Sequence, residues 1–78
     1  MAAYLEFNFK IKPLQPWNEI LMAELIEIGF DSFTEEYEGI LGYIQKDLFK
    51  EEELKNIYLL QNDEVEISYT YEEMPNIN

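Results

Sequence analysis

Cysteine, histidine and arginine are all missing from this 78-residue chain. Without cysteine there is no disulfide framework and no thiolate nucleophile, and without cysteine and histidine the usual zinc ligands are gone. Without histidine no side chain titrates near neutrality at its ordinary pKa, so general acid–base catalysis has no ready group. Ser32 and Ser68 lack a histidine to activate them, which excludes a serine triad. Glycine is scarce as well. Gly29, Gly39 and Gly42 are the only three, with no G-x-G spacing, so the turn that cradles phosphates in nucleotide sites is absent. No window carries the spacing of a calcium loop. The longest aliphatic runs are about four residues, such as positions 20–23, against the roughly 20 needed to span a bilayer. The opening Met1-Ala2-Ala3-Tyr4 has no basic region followed by an apolar stretch, so no signal peptide is read there. The expectation is a cytoplasmic protein with no membrane partner, and the lack of cysteine fits a reducing compartment.

What is present is acidic and aromatic side chains. Seventeen carboxylates face five lysines, for a formal net charge of −12. A hydrophobic content of 47% and an aromatic content of 15% exceed what a disordered acidic tail carries. The length suits one small domain and is too short for a two-domain enzyme. Nucleic-acid binding needs lysine and arginine to neutralise phosphates, and this charge balance opposes it. An acidic surface instead favours a basic protein partner, chiefly by speeding encounter, or serves only solubility. The adjacent carboxylates Glu35-Glu36, Glu51-Glu52-Glu53 and Glu72-Glu73 read as solvated charge at turns and helix ends. A glycosidase-type pair needs a cleft this length can hardly build. No catalytic, cofactor or metal residue is therefore assigned, and the chain alone is not expected to be an enzyme.

Hydrophobic periodicity orders the elements. Over residues 4–12, Leu5, Phe7, Phe9 and Ile11 alternate with Tyr4, Glu6, Asn8, Lys10 and Lys12, a strand with one buried face. Pro13 and Pro16 bracket a loop, with Pro16 suited to a first helical turn. Trp17, Leu21, Leu25 and Ile28 recur at spacings of three and four, giving a helix over 17–28. Ile20, Met22 and Ile26 broaden its apolar face, and Gly29 follows at the position that favours a left-handed backbone. Residues 31–37 and 40–45 read as a hairpin turning at Glu38-Gly39, where Gly42 signals a bulge or a close backbone approach. Residues 50–60 read as a second helix with three glutamates in its first turn; Asp47 caps it if it starts early, and otherwise Lys50 occupies the cap. Over 64–72, Val65, Ile67, Tyr69 and Tyr71 alternate with Glu66, Ser68 and Thr70. The tyrosines share the apolar register, so they read as core more readily than as a base-stacking platform. Residues 74–78, broken by Pro75, read as the start of a linker or tail after a domain over 1–73.

The order strand, helix, strand, strand, helix, strand predicts an α+β fold. It is that of a ferredoxin-like split βαβ sandwich: a four-stranded antiparallel sheet with both helices on one face. The other face stays open and should carry Glu6, Asn8, Lys10, Glu66, Ser68 and Thr70. Of these, Glu6, Asn8, Glu66 and Ser68 are the candidate partner-binding residues.

Four stretches carry a resemblance: Tyr4-Leu5-Glu6-Phe7, the helix ending Ala23-Glu24-Leu25-Ile26-Glu27-Ile28-Gly29-Phe30, Tyr43-Ile44-Gln45-Lys46, and Ile67-Ser68-Tyr69-Thr70. Together they resemble the N-terminal domain of the PrmA family, methyltransferases of ribosomal protein L-eleven, in the form found in Bacteroidetes. The resemblance implies a small ferredoxin-like domain that recognises the ribosomal protein. It implies that S-adenosylmethionine and the catalytic Asn-Pro motif belong to a separate Rossmann-like domain, whose motifs this sequence does not contain. The expected partner is ribosomal protein L-eleven or another basic protein, and the expected state is a monomer. The alternative is a small ligand-sensing or regulatory domain of the same form, which would pair side by side to build its site.

Overall fold

The computed structural model describes residues 3–74. Four strands, β1 (Tyr4–Lys12), β2 (Ser32–Glu36), β3 (Gly39–Gln45) and β4 (Glu66–Met74), form one antiparallel sheet in the order β2-β3-β1-β4. Helix α1 (Trp17–Glu27) joins β1 to β2, and a short helix α2 (Glu51–Lys55) lies between β3 and β4. The architecture is α+β, as the alternating patterns predict.

The period-two pattern of β1 sets the core. Leu5, Phe7, Phe9 and Ile11 are all buried. Across β3, Ile44 stands opposite Leu5 and Ile40 opposite Phe9. Across β4, Tyr71, Tyr69 and Ile67 stand opposite Phe7, Phe9 and Ile11. Leu21 and Leu25 of α1 and Leu54 of α2 close on this same face. Phe7 sits at the centre of an aromatic cluster. Its ring lies 4.5 Å from Tyr71 in a stacked pair and 5.3 Å from Phe30 edge-on, geometries that add to simple area burial.

Helix α1 ends as its glycine predicts. Gly29 has φ +116°, the Phe30 N–H donates to the Leu25 carbonyl at 3.1 Å, and the Gly29 N–H donates to the Ile26 carbonyl at 3.1 Å. This pair of bonds is a Schellman motif. Pro16 occupies the N-cap rather than the first turn. The apolar face is narrower than the sequence suggests, since Ile26 and Ile20 are exposed while Leu21 and Leu25 are fully buried.

Three local readings need correction, and the choice left open at Gly42 is settled. The hairpin turns at Tyr37 and Glu38, and Gly39 is already the first residue of β3, paired with Glu36 and Lys10. A side chain there would run into the Phe9 carbonyl of β1, so the glycine serves strand approach rather than the turn. Gly42 is likewise a close approach and not a bulge, because the pairing register runs through it unbroken. An added Cβ at Gly42 would lie 3.0 Å from the Phe30 ring. Residues 50–60 do not form one helix. Lys50 holds the N-cap, α2 stops at Lys55, and a 3-10 turn follows over Tyr58–Gln61. Ile57 and Leu59 are both buried, and side chains two apart cannot share one face of a continuous helix. Finally, β4 starts and ends two residues later than the alternation suggests: Met74 pairs with Tyr4, inside the strand. Of the expected tail, positions 75–78 lie outside the described residues.

Candidate interaction surface

The register of the sheet settles which residues share the face away from the helices. Asn8 stands opposite Leu41 and Thr70, Lys10 opposite Gly39 and Ser68, Lys12 opposite Glu66, and Glu6 opposite Tyr43 and Glu72. From β2, Ser32, Thr34 and Glu36 extend the same rows. The four residues picked from sequence therefore lie on one open face, but they do not form one cluster. Asn8 and Ser68, with Lys10 and Thr70, line a shallow depression of about 150 Å³. Glu6 and Glu66 are six residues apart along the sheet, roughly 20 Å at a strand's rise per residue. The charge on this face is mixed at one end, where Lys10 and Lys12 lie near Glu66 and Glu36, and acidic at the other, where Glu6 lies beside Glu72.

At the acidic end Glu6 is half-buried and engaged. The Tyr43 hydroxyl donates to Glu6 Oε2 at 2.8 Å. That bond holds the Tyr43 pKa above its ordinary value, with partial desolvation and the nearby charges of Glu6 and Glu36 adding to it. On the same end the Tyr4 hydroxyl donates to Asp31 Oδ2 at 3.2 Å. Two phenols and their carboxylates thus make a fixed polar patch that single-sequence reasoning missed. Its signal is the β1–β3 register, which no local pattern carries.

The opposite end holds a feature with no sequence signal. An open cleft of about 1040 Å³ lies where β1 runs out, where the β2–β3 turn folds over and where β4 begins. Leu14, Leu60 and Ile67 give it apolar walls, and Lys10, Lys12, Glu38 and Glu66 give it charge. The Ile11 N–H donates to the Glu38 carbonyl at 2.9 Å, which ties the turn to β1, and Tyr37 stands 95% exposed at the rim. Among the described residues no group of three or more acidic side chains is placed to hold a metal ion. No helix among them is long and apolar enough to cross a membrane.

The site is thus an uncovered sheet face on a small α+β domain, with hydrogen-bonded polar groups at one end and an open cleft at the other. Comparison with known proteins gives the relatives of this chain. The chain is 42% identical over 72 residues to the protein named Ribosomal protein L11 methyltransferase in Bacteroides fragilis and to its namesake in Bacteroides thetaiotaomicron, covering 90% of this chain and 26% of each relative. The protein of that name in Phocaeicola vulgatus is 39% identical over 77 residues, 96% of this chain and 27% of its own length. The resemblance read from Tyr4 to Tyr71 is thus borne out, and its bacterial group with it. The chain spans about a quarter of the length of the curated relatives it matches. No family model matches the chain, and no solved structure matches it.

Proposed function

We propose that this chain is the substrate-recognition domain of a ribosomal protein methyltransferase. It docks ribosomal protein L11, or another basic protein, while S-adenosylmethionine binding and methyl transfer fall to a catalytic domain that these 78 residues do not include. The observation that carries this reading is the match of nearly the whole chain to about a quarter of each methyltransferase. The net charge of −12 supports it, since ribosomal proteins are generally basic and complementary charge speeds encounter. The sheet order, with β1 and β3 central and β4 and β2 at the edges, supports the split βαβ reading of the fold. The open face with Glu6, Asn8, Glu66 and Ser68 is the docking surface in this reading, the domain acts as a monomer, and its place is the cytoplasm.

The test is an NMR titration of the chain with ribosomal protein L11 at near-physiological salt, with an equally basic, unrelated ribosomal protein as control. Selective shifts with L11 are expected, together with a loss of affinity and of salt dependence on Glu6→Lys or Glu66→Lys. The two variants are made separately because the residues sit at opposite ends of the face. Shifts of equal size with both proteins, or with neither, would defeat the proposal. The rival reading, a ligand-sensing domain, draws on the open cleft beside Lys12. A chain that stays monomeric by light scattering and gains no thermal stability from amino acids removes it.

A further inference from the structure

The outer edge of β4 is a strand-length row of backbone groups with nothing beside it among the described residues. β4 pairs with β1 on one side only, over nine residues from Glu66 to Met74. Exposed edges of this length invite another strand, and folded proteins blunt them with short length, inward charges or a cover. The other edge of this sheet is blunted in that way: β2 has five residues and turns only Phe33 and Glu35 toward the helices. β4 is not. Its one charge on the helix side, Glu73, is drawn off to Lys46 Nζ at 2.8 Å. The remaining helix-side residues are Ile67, Tyr69 and Tyr71. Tyr71 stacks on the buried Phe7 yet stays 47% exposed, so the aromatic cluster reaches solvent along this edge.

We propose that the outer edge of β4 takes an extended basic segment of the protein partner as a fifth strand. The proposal rests on the recognition reading above and names the mode of binding. Side chains of an added strand alternate in step with those of β4. On the helix side the added strand faces Ile67, Tyr69 and Tyr71, so it carries apolar residues at three alternate positions. On the open side it faces Glu66, Ser68, Thr70 and Glu72. Glu66 and Glu72 are exposed and neither has an ion-pair partner among the described residues. The segment therefore carries a basic residue at each end of the apolar trio, on the opposite face. A second copy of this chain fits the edge poorly, because two chains of −12 charge repel.

The probe is a capped peptide reading lysine, valine, serine, isoleucine, threonine, valine, lysine. It is titrated into the isotope-labelled chain in unmodified form and in two forms, each N-methylated on one alternate set of amides. An added strand turns one set of amides toward β4 and the other away, so one methylated form should lose about tenfold or more in affinity while the other keeps it. The amide shifts should follow β4 from Glu66 to Glu72. Equal losses with both methylated forms, shifts that avoid β4, or no shift with any peptide would overturn the proposal. So would a light-scattering dimer joined through β4. Titration with L11 separates the two readings. Selective L11 shifts confined to Tyr4, Tyr43 and Thr34 would sink the edge mode and keep recognition, whereas peptide binding on β4 without L11 binding would do the reverse.

Discussion

Replacing Gly39 by alanine should be far more damaging than the same change at Gly42, although both glycines lie in β3 beside the core. At Gly39 the new Cβ would overlap the Phe9 carbonyl oxygen, 2.7 Å from its carbon and 3.1 Å from the Lys10 Cα. These are backbone atoms of a central strand and have no rotamer to escape into. Relief requires β3 to move off β1, which costs about 1–3 kcal/mol as overpacking. The same movement stretches the bond from the Ile11 N–H to the Glu38 carbonyl, worth about 1 kcal/mol net. The sum is about 2–4 kcal/mol, against a total stability of about 4–12 kcal/mol for a domain this long. At about 4–8 °C per kcal/mol, the melting temperature should fall by about 8–30 °C. At Gly42 the obstacles are the Phe30 and Phe33 rings at 3.0 and 3.2 Å, which can tilt. The lower backbone entropy of alanine offsets about 0.5–1 kcal/mol, leaving Gly42→Ala within about 1 kcal/mol of neutral. Thermal and urea unfolding followed by circular dichroism give both values. If Gly39→Ala melts as high as Gly42→Ala, the close approach of β3 to β1 is not as described.

Other consequences are equally direct. Gly29→Ala should cost about 1–2 kcal/mol by urea unfolding, because its φ of +116° is unfavourable for a residue with a Cβ. Glu6→Gln should return the Tyr43 pKa toward the ordinary tyrosine value, read from the Tyr43 ring-carbon shift, and an unchanged pKa would remove Glu6 as the cause. Tyr43 and Lys46 both hold their protons more tightly in the folded chain, Tyr43 through its bond to Glu6 and Lys46 through its bond to Glu73. Their stabilisation is complete below about pH 10 and is lost as pH rises through the folded pKa values, so urea midpoints should decline above pH 10. That alkaline slope should be shallower in Glu6→Gln.

The parts of the fold that were legible are those whose pattern is local. β1 shows a clean period of two because one face is fully buried and the other polar, and α1 shows its end because a single glycine supplies the left-handed turn. Residues 50–60 were misread because their apolar residues fit a helix by spacing, while the pull of two buried side chains at Ile57 and Leu59 is tertiary and invisible locally. The end of β4 was misplaced because edge strands tolerate charge, so Glu72 and Glu73 resemble a terminus without being one. The open face itself followed from alternation. The contact of Tyr43 with Glu6, the spread of Glu6 from Glu66, and the cleft all depend on strand register, which joins residues tens of positions apart.

The pairing of Tyr4 with Met74 has a consequence for anything joined to this domain. The start of β1 and the end of β4 lie at the same corner of the sheet, while the cleft begins six residues away, at Lys10 and Ser68, about 20 Å along the strands. The sheet therefore acts as a ruler between the Tyr4–Met74 corner and a far rim. A segment laid along β4 would have one end at the rim and the other beside Met74. Labels placed at Tyr4 or Met74 should leave the cleft untouched, and a crosslinker anchored beside Met74 should reach one end of a bound segment and not the other.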